Sequence, residues 1–130
     1  MLYLYSFLAY VIITFICAAG WHLVAFKKTY DRLGVFTRKE PIIPLGVTSM
    51  LLQGLVVAYA FPLFLREGNT ILQGVVFGFL SIGIFMGSGA VLGEAGKNEV
   101  GPLSTWIPLE TAYYVLQGIA VGLALGLIYA

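Results

Sequence analysis

Tyr3 to Phe26 reads YLYSFLAYVIITFICAAGWHLVAF, a run without one Asp, Glu, Lys or Arg. A helix that crosses a hydrocarbon core of about 30 Å needs roughly 20 mostly apolar residues. This run is long enough for one crossing. A signal peptide would open on basic residues and carry a shorter apolar core. Met1-Leu2-Tyr3-Leu4-Tyr5 offers no basic side chain. The stretch is therefore expected to be a retained spanning helix.

Outward from it, charges divide the rest of the chain. Lys27, Lys28, Asp31, Arg32, Arg38, Lys39 and Glu40 follow, then a second apolar run from about Ile42 to Leu65. Arg66-Glu67-Gly68-Asn69 has the composition of a tight turn. A third run extends from about Thr70 to Gly93, a Gly-rich polar loop from Glu94 to Ser104, and a fourth run from about Thr105 to Tyr129. Strands are excluded as isolated spanning elements, because their open backbone groups would go unpaired in lipid. The runs are also too long and too uniformly apolar for barrel strands. The expected fold is all-α, with four transmembrane helices at about 3–26, 42–65, 70–93 and 105–129. They form one transmembrane domain over residues 1–130, an up-and-down bundle.

Composition agrees and narrows the function classes. Sixty per cent of the 130 residues are hydrophobic, 10% are charged, and mean hydropathy is +0.96. So few charges cannot cover a globule in water, where about 25% is usual. Cys17 is the only cysteine, which excludes a disulfide scaffold. A net charge of +1 gives no footprint for nucleic acid. The bilayer is the expected partner. Loops one and three hold six Lys and Arg residues against Arg66 alone on the other side. Loops one and three should then face the cytoplasm and both termini should face outward.

The chain also carries an internal repeat. Ile43 to Val57 reads IPLGVTSMLLQGLVV, and Ile107 to Val121 reads IPLETAYYVLQGIAV. This spacing predicts a duplicated two-helix hairpin, with halves at about 1–65 and 66–130. Each half crosses twice, so the halves would be related by a pseudo-two-fold axis along the membrane normal. Pro44 and Pro108 fall in the first turn of their helices, where a missing N–H costs nothing.

Polar residues inside the spans are the candidate sites. Gln53 and Gln117 fall near mid-membrane, with Thr14 and Ser81 at similar depth. Two readings are open: a small polar site, or hydrogen bonds that hold helices together at about 0.6 kcal/mol each. The absence of an accompanying charge favours the second. His22, Glu94 and Glu110 form a cluster at one depth near loops one and three. A carboxylate in a span is by default a functional hypothesis. Glu110 lies close to the helix start, so the expectation is a surface anchor paired with Lys27 or Lys28. One histidine makes no multi-ligand site, so no metal and no cofactor are expected. Trp21 and Trp106 are expected in an interfacial aromatic belt, with Tyr3, Tyr5 and Tyr129 on the other side.

Glycines give the packing faces. Helix four carries Gly118, Gly122 and Gly126; helix three carries Gly74/Gly78, Gly83/Gly87 and Gly89/Gly93. Small residues four apart share a face and admit a close neighbour. Helix three has glycines on more than one face, which leaves room for another subunit or another copy of the chain. No nucleophile–base pair, phosphate loop or metal-ligand spacing is present, so no enzyme activity is expected.

At Gly20-Trp21-His22-Leu23-Val24-Ala25-Phe26-Lys27-Lys28-Thr29-Tyr30 and Glu40-Pro41-Ile42-Ile43-Pro44-Leu45-Gly46 the chain resembles small bacterial four-helix membrane proteins grouped as a domain of unknown function. In those, the first helix ends in a Gly/Ala–Trp–aromatic stretch. Here His22 stands where a Tyr is usual and Tyr30 where a Trp is usual. The resemblance implies a bacterial inner-membrane location and carries no catalytic residue across. The expected function is a non-enzymatic structural or accessory subunit packed against larger membrane partners. The alternative is a homo-oligomeric transporter or channel for a small solute or ion.

Overall fold

The computed structural model describes residues 1–130. It is all helical. Four helices are long and apolar enough to cross a membrane: α1 (Leu2–Ala25), α3 (Ile43–Phe64), α4 (Thr70–Lys97) and α5 (Leu103–Ile128). A short helix, α2 (Lys27–Leu33), lies in the first loop. The chain is a multi-pass membrane protein. Its outer surface fits that medium: Phe85 is 81% exposed and Val24 78% exposed, an arrangement that water would penalise and lipid does not.

The helix ends follow local chemistry. Pro44 starts α3 without losing a hydrogen bond. Asn69 caps α4 by accepting a hydrogen bond from the Leu72 N–H at 3.1 Å. Gly68 takes a φ of 118° in the turn before it, which glycine allows without a Cβ clash. Gln73 clamps that turn, accepting from the Arg66 N–H at 2.6 Å and donating to the Arg66 carbonyl at 2.9 Å. Two boundaries differ from the sequence reading. The third span continues through Glu94 to Lys97, because Gly93 and Gly96 are tolerated in a helix that packing supports. Loop one is not wholly irregular, since α2 turns Tyr30 and Leu33 inward and ends at Gly34 with a φ of 70°.

Two helices depart from regular α geometry. α1 widens into π-helical turns over Ala19–Ala25, and α4 does so over Phe79–Met86. Such widening rotates the following side chains and leaves carbonyls free for other partners.

α5 is the most enclosed span. It packs on α4 and on α1, while α3 packs on the far side of α1. α3 and α4 meet through aromatic rings, with Phe77 at 5.3 Å from Phe61 and 5.5 Å from Phe64 between centroids. The glycine ridges of α4 and α5 face each other. A Cβ on Gly74 would meet Gly126 N at 2.7 Å, and one on Gly122 would meet Gly74 C at 2.9 Å. Gly78 is as close to Gly118, and a Cβ on Gly118 would lie 3.0 Å from Gly83 N. Gly87 faces Tyr114, and a Cβ on Gly87 would lie 2.9 Å from the Tyr114 Cβ. In lipid this close backbone packing takes the place of the hydrophobic drive. Gly89 and Gly93 face open space.

A second apolar cluster closes the loop-one end. Tyr30 and Leu33 of α2 pack with Val91, Val100 and Trp106. Trp106 is 4% exposed and donates its indole N–H to the Val91 carbonyl at 2.9 Å. The belt expected for it is corrected: Trp106 is an internal residue, because its N–H finds a carbonyl inside the fold.

Candidate functional site: a buried glutamate–histidine–tyrosine network

Glu110 lies about two turns into α5, on the face turned to α1 and α2. It is 6% exposed. His22 Nε2 is 3.1 Å from one carboxylate oxygen, Oε1, and 3.4 Å from the other. Tyr30 donates its hydroxyl to Oε2 in a short hydrogen bond. Trp21 in turn donates its indole N–H to the Tyr30 oxygen at 2.9 Å. The expected pairing of Glu110 with Lys27 or Lys28 is overturned. Lys27 instead pairs with Asp31 at 2.9 Å, one turn along the exposed side of α2.

The widened turn of α1 explains how His22 reaches the carboxylate. His22 Nδ1 lies 3.0 Å from the Ala18 carbonyl, four residues back. A carbonyl only accepts, so Nδ1 carries a hydrogen. The imidazole is thereby oriented with Nε2 facing Glu110. Nε2 is held within hydrogen-bonding reach of both carboxylate oxygens. The aromatic walls are close: Tyr30 and Tyr113 both lie 4.5 Å from the His22 ring centroid. Burial pushes the Tyr30 phenol well above its ordinary range, and the hydrogen bond to Glu110 pushes it the same way. Tyr30 is therefore a fixed donor to Glu110.

Glu94 does not join this group. Its side chain accepts from Asn98 at 2.8 Å at the exposed end of α4. Tyr30 takes the place that the sequence reading gave to Glu94. A signal for Tyr30 was present, since an aromatic hydroxyl sits within a run of charged loop residues, but only the α2 fold turns it inward.

The mid-membrane residues divide into two separate links. Gln117 donates to the Thr14 hydroxyl at 2.9 Å, tying α5 to α1. Gln53 accepts from the Tyr10 hydroxyl at 2.8 Å, tying α3 to α1, and donates to Ser49 at 3.1 Å. Ser81 joins neither; its hydroxyl returns to the Phe77 carbonyl at 2.6 Å on its own helix. Tyr10, fully buried, is the residue that sequence reasoning missed here. These links are interhelical hydrogen bonds between neutral groups.

One face of the network reaches the surface. His22 lines a cleft of about 740 Å³ between the start of α2, the following loop and the first turn of α3. Glu110 does not line it. The histidine is thus the one member of the pair that meets both the cleft and the carboxylate. No protein-family model, curated protein or solved structure matches this chain.

Proposed function

We propose that the chain is a proton-linked transporter of a small solute or ion, working as a homo-oligomer in the bacterial inner membrane with both termini outside. The observation that carries this reading is the buried Glu110, bonded inside a spanning helix to a histidine that opens to a cleft. An ionisable side chain placed there is costly unless it is used or fully paired. Here the carboxylate is within hydrogen-bonding reach of a histidine that itself lines the cleft.

The chemistry follows from the fixed Nδ1–H. A proton arriving from the cleft adds to Nε2, and the imidazolium faces a carboxylate that Tyr30 steadies at Oε2. A second proton converts the pair from neutral to a single positive charge in a site of low polarity. That change alters the local field enough to favour an anion or to shift the end of α1. Four helices enclose little space, so a solute path requires several copies. The repeat supports a parallel two-fold design. Gly54 and Gly118, at matching positions of the repeat, lie against α1 and α4, each the partner helix of its own hairpin.

Reconstituted vesicles holding a trapped pH-sensitive dye test this. The wild-type chain should move protons when a solute gradient or potential is applied. Glu110→Gln should abolish that movement while the protein stays folded. Equal flux in the two proteins, or none in the wild type with any solute class, overturns the reading.

An accessory-subunit role is the second reading, supported by Gly89 and Gly93 of α4. Both face open space at helix-packing spacing. A larger membrane complex that co-purifies in mild detergent would favour it, and a discrete homo-oligomer would favour transport.

A further inference from the structure

The cleft beside His22 has two kinds of wall. Leu23, Phe36, Ile43 and Leu45 line its apolar side and are 61%, 57%, 65% and 65% exposed. Thr37 and Arg38 line the loop side. The charges in and around it are not equally free. His22 is engaged by Glu110, and Lys27 by Asp31. Arg38 makes no ion pair and no side-chain hydrogen bond. The cleft therefore presents one uncommitted guanidinium next to an apolar trough at the level of a helix end. Its volume, about 740 Å³, lies within the roughly 300–1,000 Å³ usual for small-molecule sites.

We infer that this cleft binds a single-chain amphiphilic monoanion, a long-chain carboxylate, with its head on Arg38 and its tail along Ile43 and Leu45. A guanidinium offers a planar pair of donors that fits a carboxylate. One free cation suits one negative charge. The trough accepts an acyl chain that arrives from the lipid, where such molecules partition. Thr37 adds a hydroxyl on the head-group side. The head also comes to rest near His22, so ligand binding and the His22–Glu110 proton sit side by side. The assignment deepens the transport reading by naming its substrate class, and it rests on that reading only for what happens after binding.

The test uses the full chain in nanodiscs of zwitterionic lipid. A naturally fluorescent polyene fatty acid serves as the probe, excited by energy transfer from tryptophan. Saturable transfer is expected. Arg38→Gln should weaken binding by about tenfold or more, as for the loss of a charged partner. Ile43→Glu should weaken it as well, by placing a like charge in the trough. Lys39→Gln, one residue outside the lining, should leave it unchanged. The methyl ester of the same chain should bind poorly. Equal affinity for acid and ester, or wild-type affinity in Arg38→Gln, overturns the assignment. Displacement of the probe by anionic phospholipid at low mole fraction, but not by excess free fatty acid, also overturns it in favour of a lipid head-group site. Binding that depends on Arg38 in a chain that moves no protons would sink the transport reading and leave this one standing. Proton flux with no fatty-acid binding would do the reverse.

Discussion

Glu110 and His22 hold each other in place, and removal of either leaves a polar group of the network short of a partner. Without His22, the carboxyl group would be left buried with Tyr30 as its one partner. Without Glu110, both Nε2 and the Tyr30 hydroxyl would need new partners. Glu110→Gln and His22→Ala should each lower thermal stability in detergent, and the double variant should lose less than the sum. A coupling of about 0.5–3 kcal/mol is expected, as for residues in one hydrogen-bond network. Additive losses would show that the two side chains do not act together. Tyr30 gives a pH signature with a fixed sign. Its folded value is raised above the ordinary 10.0, so the folded state holds the phenol proton more tightly than the unfolded state does. The stabilisation is complete below pH 10.0 and is lost as pH rises through the folded value. Melting curves on either side of that pH should show a steeper alkaline loss for the wild type than for Tyr30→Phe. Parallel curves would mean that the phenol is not held in this way.

At the scale of elements, the α4–α5 contact has the narrowest tolerance. Gly122 lies so near the α4 backbone that a Cβ would come within 3.1 Å of Val75 Cα. The atoms in the way are backbone, which cannot rotate aside. Gly122→Leu should therefore separate the helices and lower detergent stability by several kcal/mol, whereas Leu123→Ala on the exposed side should cost under about 1 kcal/mol. Similar melting temperatures for the two would show that the ridge faces lipid. The widened turns of α1 and α4 belong to this scale too. They fall near His22 in one helix and near Gly83 and Gly87 in the other, where side chains must be re-aimed to meet α5.

For the whole molecule, orientation is the decisive question, because the proposed proton path has a direction. Six Lys and Arg residues lie in loops one and three against one in loop two. A reporter fused after Ala130 should behave as periplasmic in a bacterial host. A reporter active in the cytoplasm there would reverse the orientation and place the His22 cleft on the outer face.

The sequence by itself determined that the chain is helical, with four segments long and apolar enough to cross a bilayer. Runs of about twenty apolar residues between charges leave no other way to pair the backbone in lipid. It also marked the glycine ridge of α5, since spacing alone puts Gly118, Gly122 and Gly126 on one face. Tertiary structure decided which face of α4 receives that ridge, and it set Gly89 and Gly93 apart from Gly74 and Gly78. It decided the site as well. Glu110 reads as shallow by its distance from the helix start, yet α2 folds over that end and seals it. Tyr30 and Trp21 then supply hydrogen bonds that no spacing between positions 21, 30 and 110 announces. Linear distance measures depth along a helix, but burial depends on what other segments cover, and here a seven-residue loop helix does the covering.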